Sequence, residues 1–324
     1  MDKIEKAKNM IFHDSEEPDG IPIKGYDFSS LDMKKFIEAY KSTGFQASHL
    51  GRAVDIARKM RKDKVTIFLG FTSNMISSGV REAILHLVKN KHVHALVTTA
   101  GGVEEDFIKT IKHFVLGDFR LNGAELRRRG INRTGNILEP NERYVEFEKV
   151  FQKLLNDLYN EQKSSGKITT PSEICHRLGL LGDETSVLYW AAKHGIPVFC
   201  PGITDGAMGD NMFFFKTEHP EFKLDVTDDI VKLVDVVLDA PSTGAIILGG
   251  SLPKHHIMNA NMMREGTKYT IYINTAVEGD GSDSGALPEE AKSWGKASAD
   301  GDTVKVEGDA TIIFPLLVAG AFVD

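Results

Sequence analysis

The chain has 324 residues, 41% of them hydrophobic, and a formal charge of −7. That composition can fill a complete core, and the acidic balance argues against general nucleic-acid affinity while suiting a cationic ligand. No uninterrupted apolar run reaches about 18 residues, and the charged start MDKIEKAKNMIFHDSEEPDG lacks the apolar centre of a signal peptide, so no membrane span or leader is expected. Cys175 and Cys200 have neither metal nor redox spacing and read as buried thiols of a reducing, cytoplasmic compartment, with no metal site.

Residues 1–24 show no clear period and read as an N-terminal arm ahead of one domain over 25–324. Six short apolar, β-branched runs then predict strands: VTIFLGF (65–71), VHALVTT (93–99), IPVFC (196–200), GAIILGG (244–250), YTIYINT (269–275) and ATIIFPLLV (310–318). Nearly continuous apolar runs suit strands covered on both faces of a parallel sheet. Between them, GVREAILHLVKNK, EEDFIKTIKHFV, TSVLYWAAKHG and DDIVKLVDVVLDA have helical periodicity. The alternation predicts an α/β fold: a doubly wound, mostly parallel sheet with helices on both faces. A helical excursion of about 120–182 interrupts it, built around one long charged helix over 139–165. The basic run Arg127–Arg129 reads as solvated or subunit-facing surface.

Five strand ends break into small polar residues: TSNMISSG, TTAGGVEED, PGITDGAMGD, GGSLPKHH and NTAVEGDGSDSG. One such turn is usually only a turn. Five on one edge of a parallel sheet predict a large ligand site beyond the strands' carboxyl ends. TTAGG, ahead of a helix expected to start near Glu104, allows close backbone approach and suits a phosphate or dinucleotide, and Ser73–Ser77 is a second candidate. The GxGxxG fingerprint is absent. Glu104, Glu105, Asp205, Asp210, Asp280, Asp283 and Glu290 could each be capping or solvated groups, yet together they would make a negative cleft. Of His255 and His256 only one can face it. Glu290 and Trp294, four apart, share a helix face, and Lys296 follows Gly295 at that helix's end. Tryptophan can stack on a cationic chain, and a lysine freed of its proton is a nucleophile.

The blocks TTAGGVEED, GINRTGN, TDGAMGD, KHHIMNANMMR, YINTAVEGDGSDSGALPEEAKSWGK and FPLLVA, in this order, closely resemble deoxyhypusine synthase. The resemblance runs from about Gly25 to the C-terminal region, more than nine-tenths of the chain. It implies an NAD-dependent transferase that oxidises spermidine, holds its aminobutyl group as an imine on a lysine, and passes it to one lysine of the translation initiation factor 5A precursor. By matching position, it implies Lys296 as the imine-forming lysine and His255 as the base. Glu104, Glu105, Asp210, His255, Gly281, Ser282, Asp283, Glu290 and Trp294 would line the polyamine pocket. NAD would be gathered by Ser73, Asn74, Met75, Ile76, Ser77, Thr99, Ala100, Gly101, Glu105, Asp205, Gly250, Thr275, Ala276, Asp309 and Ala310. Family members are homotetramers with active sites at dimer interfaces, and an N-terminal segment can cover the entrance. Residues 1–24 here show little resemblance, and the other small departures are GGSLPKHH and Met208.

Three alternatives bear on the same residues. A homospermidine synthase on this scaffold would use putrescine as acceptor. An inactive regulatory paralogue would be expected to lose Lys296, Glu290 or Asp283, all retained here. An NAD-consuming deacylase would need zinc cysteines that this chain lacks.

Overall fold

The computed structural model describes residues 2–12 and 15–323. The strands, in chain order, are β1 (Thr66–Phe71), β2 (Ala95–Thr98), β3 (Val115–Leu116), β4 (Ile131–Thr134), β5 (Ile137–Pro140), β6 (Val198–Phe199), β7 (Thr243–Leu248), β8 (Thr267–Asn274) and β9 (Ala297–Glu307). Six of them form one sheet in the order β6-β2-β1-β7-β8-β9, and every pairing within it is parallel.

Because side chains alternate across a strand, each strand feeds two cores. Ile67, Leu69, Phe71, Leu96, Ile246, Leu248, Ile271 and Ile273 enter one, with the helices Phe45–Lys62, Val80–Lys89, Ala100–Ile111 and Ala310–Ala321 packed over them. Phe68, Ala95, Val97, Ala245, Ile247 and Tyr272 enter the other, under the helices Asp228–Asp239, Ser251–Asn261 and Pro288–Ser293. The sheet is therefore doubly wound. Burial on both faces is why these strands read as unbroken apolar runs rather than alternating ones.

The sequence reading is wrong at the C-terminus. ATIIFPLLV is not a strand but the start of the helix Ala310–Ala321, which Asp309 caps by accepting from the Thr311 amide at 2.8 Å. A fully apolar stretch has no period that separates a strand from a buried helix. The sixth strand is instead β9, ASADGDTVKVE, which hid as a polar segment because it lies at the sheet's edge with several residues exposed.

The long helix runs over Asn141–Ser165, followed by Pro171–Leu181. The excursion is not purely helical: β3, β5 and β4 form a small antiparallel sheet beginning at Val115. In the predicted arm, Lys3–Ile11 is a helix with no buried residue, while residues 1, 13 and 14 lie outside the described residues. No helix among the described residues is long and apolar enough to cross a membrane.

Candidate active site

Counted in chain order, the six parallel strands lie 3-2-1-4-5-6, so the order reverses between β1 and β7. That reversal opens a crevice at the strands' carboxyl ends, where open α/β sheets bind dinucleotides. Loops from β1, β2, β7 and β8 meet there and are tied to one another. The Ser73 amide donates to Thr99 Oγ1 at 3.0 Å. Asn274, buried at the end of β8, donates to the Gly249 carbonyl at 3.1 Å and accepts from the Ala276 amide at 3.1 Å.

Two glycines permit close approach at this crevice. A Cβ on Gly250 would sit 2.5 Å from Ser284 Cα, and one on Gly101 would sit 2.7 Å from Ser73 Cβ. Gly249, at φ +83°, makes the turn that a side chain would strain. These glycines let neighbouring loops pack directly on one another at the crevice, so several backbone segments converge there instead of one fingerprint.

A second feature lies beside β8. Lys254, His255, Met258, Tyr272, Gly281, Asp283, Ala286, Leu287, Glu290, Ala291, Trp294 and Lys296 line a cavity of about 210 Å³. The helix Pro288–Ser293 ends in Trp294, and Gly295 takes φ +67°. The Gly295 amide then donates to the Lys292 carbonyl at 2.9 Å and the Lys296 amide to the Ala291 carbonyl at 2.9 Å. This is a Schellman closure, and it fixes where Lys296 leaves the helix. The Lys296 carbonyl in turn accepts from the Thr267 amide at 3.2 Å, locking the residue to the start of β8.

The Lys296 ammonium nitrogen lies 3.4 Å from His255 Nε2 and 5.3 Å from the Trp294 ring centroid. His255 Nδ1 is 3.0 Å from the Asn259 side-chain amide, one helical turn on. If that amide donates to Nδ1, Nε2 carries the ring proton of neutral histidine; turned over, it leaves Nε2 free to accept. Asp283 Oδ2 is buried without a hydrogen-bond partner, and so is the Tyr272 hydroxyl. An orphaned carboxylate oxygen is costly unless a donor or cation meets it. Burial pushes the Tyr272 hydroxyl's pKa up, and the nearby Asp283 and Glu290 charges push it further.

The profile of the deoxyhypusine synthase family matches residues 35–321. The chain belongs to the deoxyhypusine synthase family. It is 51% identical to the "Probable deoxyhypusine synthase" of Methanocaldococcus jannaschii, over 94% of this chain and 98% of that relative. It is also 47% identical to "Homospermidine synthase 2" of Senecio vernalis, over 98% of this chain and 94% of the relative. Among solved structures, a protein assigned as a deoxyhypusine synthase from Entamoeba histolytica superposes with a TM-score of 0.69 at 32% identity, covering 93% of this chain and 96% of that one.

In this deoxyhypusine synthase-family chain, the cavity joins Lys296, His255, Gly281, Asp283, Glu290 and Trp294, six of the residues singled out from sequence. Ser282 is in the same turn, accepting from the Gly285 amide at 3.2 Å. Glu104, Glu105 and Asp210 do not line it. The helix expected near Glu104 starts at Ala100, so Glu104 and Glu105 lie in its second turn, buried, and do not cap their own helix. Glu104 accepts from the Ala207 and Met208 amides at 3.1 and 2.8 Å, capping the helix Ala207–Glu218, on which Asp210 is exposed. Glu105 accepts from the Ser77 hydroxyl. Burial raises the Glu104 carboxyl's pKa, against those two amide bonds. It pushes that of Glu105 up to about 8, with Glu139 and Glu104 adding to it and Ser77 and Lys109 opposing it.

Of the cofactor candidates, Ser73, Asn74, Met75, Ile76, Ser77, Thr99, Ala100, Gly101, Gly250, Thr275 and Ala276 lie on the loops and helix starts that follow β1, β2, β7 and β8. Asp309 and Ala310 begin the last helix, after β9. Asp205 follows β6 and is exposed. Sequence reasoning missed Lys254 and Tyr272 in the cavity and Lys109, Glu139 and Tyr144 around Glu105. Lys254 sits next to the quoted His255, but nothing in a single sequence separates a buried lysine from a solvated one.

Proposed function

We propose that the chain oxidises spermidine with NAD, carries the aminobutyl group on Lys296 as an imine, and delivers it to a lysine of the translation initiation factor 5A precursor. The observation that carries this reading is the Lys296 amine facing His255 Nε2 at 3.4 Å, in a cavity that also holds Trp294, Glu290 and the orphaned Asp283 oxygen.

The residues fit the cofactor: Gly101 and Gly250 let the loops after β2 and β7 pack closely at the strand-order reversal, where open α/β sheets bind dinucleotides. Ser73–Ser77, Thr99–Gly101, Asp205, Gly250, Thr275, Ala276, Asp309 and Ala310 would hold it, with Glu105 at its border. Bound NAD would supply a hydride acceptor for the carbon beside spermidine's secondary nitrogen and later return that hydride.

Asp283 and Glu290 hold the polyamine's ammonium groups, and the Trp294 face covers its methylene chain. His255 takes the proton lost on oxidation. The Lys296 amine adds to the resulting C=N carbon, the bond to the three-carbon diamine breaks, and 1,3-diaminopropane leaves with a proton. The aminobutyl group stays on Lys296 as an imine. The acceptor lysine displaces Lys296 by the same exchange, and reduction of the new C=N gives the saturated product. Glu104, Glu105 and Asp210 complete the polyamine pocket from a neighbouring subunit in a homotetramer. Exposed Phe213 and Phe214, about one helical turn after Asp210, support that assembly. The chain works in the cytoplasm.

Borohydride trapping with labelled spermidine and NAD, followed by peptide mapping, tests this. Label on Lys296, and none in Lys296→Arg with NAD binding intact, is expected; label on another lysine refutes the assignment. The second reading is a homospermidine synthase that uses putrescine in place of the protein lysine, since the chain is also 47% identical to a relative of that name, though more so, at 51%, to one named as a deoxyhypusine synthase. Labelling putrescine but not the factor precursor would establish that reading instead.

A further inference from the structure

The loop from Ala276 to Leu287 carries Gly281 and Asp283 and forms one wall of the Lys296 cavity. It holds only a short helical turn, Glu278–Asp280, and its end near Gly281 takes φ +68°. Two buried lysines lie beneath it. Lys305, on β9, donates to the Ala276 carbonyl at 2.6 Å and the Gly285 carbonyl at 2.8 Å. Lys254, on the helix Ser251–Asn261, donates to the Asp283 carbonyl and to the Ala286 carbonyl at 3.3 Å. Both lysines are at least nine-tenths buried. Tyr272 joins them: it pairs with Lys305 across β8 and β9, and the Lys254 ammonium stands 4.5 Å over its ring.

We propose that Lys254 and Lys305 are positioning residues, a pair of buried ammonium groups that strap the Ala276–Leu287 loop down by four of its carbonyls and so set Asp283 against the cavity. The inference rests on the reading of this cavity as a polyamine site.

Two neighbouring buried cations repel each other and lose hydration, so their placement needs compensation. The carbonyls supply part of it. Asp283 and Glu290 supply the rest for Lys254, opposing the burial that lowers its pKa. A strand or helix would satisfy these loop carbonyls with backbone amides; a glycine-rich loop has none in register, and a lysine's three donors replace them. Lys305 does not line the cavity, so it reaches the chemistry only through the loop residues that do, Gly281, Asp283, Ala286 and Leu287, whereas Lys254 also lines the cavity itself.

The test uses the full chain with Lys305→Met and Lys305→Arg. Hydrogen exchange in Lys305→Met should speed up about tenfold or more over 276–287 while β7 is unchanged. The KM for spermidine should rise about tenfold, kcat at saturating spermidine should fall less than threefold, and NAD affinity should hold. Lys305→Arg, which keeps charge and donors, should restore much of both readouts. Unchanged exchange over the loop, or a loss confined to kcat, overturns the proposal. If Lys305→Met does not fold, hydrogen exchange over 276–287 in Lys254→Met decides, since Lys254 lines the cavity and only the exchange readout isolates its hold on the loop. Absence of any spermidine-dependent turnover in the unaltered chain would count against the polyamine reading, while the exchange measurement would still test the strap.

Discussion

Glu105 gives a pH dependence whose sign and size follow from its surroundings. Its carboxyl is buried beside Glu104 and Glu139, and its pKa rises from an ordinary 4.5 to about 8. A carboxyl raised on folding keeps its proton in the folded chain at pH values where the unfolded chain has released it. Stability therefore falls as pH rises from 4.5 to about 8 and levels off above that. At about 1.4 kcal/mol per pH unit, the full window corresponds to about 5 kcal/mol, and the interval from pH 5 to 8 to about 4 kcal/mol. Glu105→Gln removes this titration and keeps the shape. Urea unfolding at pH 5, 6, 7 and 8, at fixed protein and salt concentration, should show the variant gaining on the unaltered chain by about 4 kcal/mol across the series. Glu104 and Glu139, whose carboxyls burial also raises, add their charge to the Glu105 site. A stability difference constant to within about 1 kcal/mol over the series would refute the reasoning. Spermidine bound with an ammonium beside Glu105 would favour the charged carboxylate and flatten the slope.

Two further changes are predicted. Asp106 is fully buried and accepts from Arg81 Nε at 2.7 Å, Ser186 Oγ at 2.6 Å and the Val187 and Leu188 amides at 3.1 and 2.9 Å. Asp106→Ala strands a buried guanidinium and should cost about 3–5 kcal/mol in urea unfolding, while Arg81→Met with Asp106→Leu should cost less than the single change. Gly250→Ala places a methyl 2.5 Å from Ser284 Cα. Because the Ser284 backbone must move to admit it, the change should lower the melting temperature and weaken NAD binding about tenfold or more by calorimetry on the folded variant; unaltered affinity would show that this loop does not hold the cofactor.

The sequence alone determined the α/β alternation, because a strand covered on both faces must be apolar throughout and the helices between must be amphipathic. It also determined the local chemistry from Gly281 to Lys296: Gly295 is the residue a left-handed helix end needs, and that closure aims Lys296. It could not tell the apolar helix Ala310–Ala321 from a strand, nor recognise β9, since burial and edge position belong to the whole sheet. Only the tertiary structure decided which predicted groups meet. His255 reaches Lys296 from 41 positions away, while Glu104 and Glu105, with the same acidic signature as Glu290, turn into a buried cluster. Spacing records where a residue falls on its own element. Which elements face one another, and how far each charge is removed from water, is settled only when the sheet is wound.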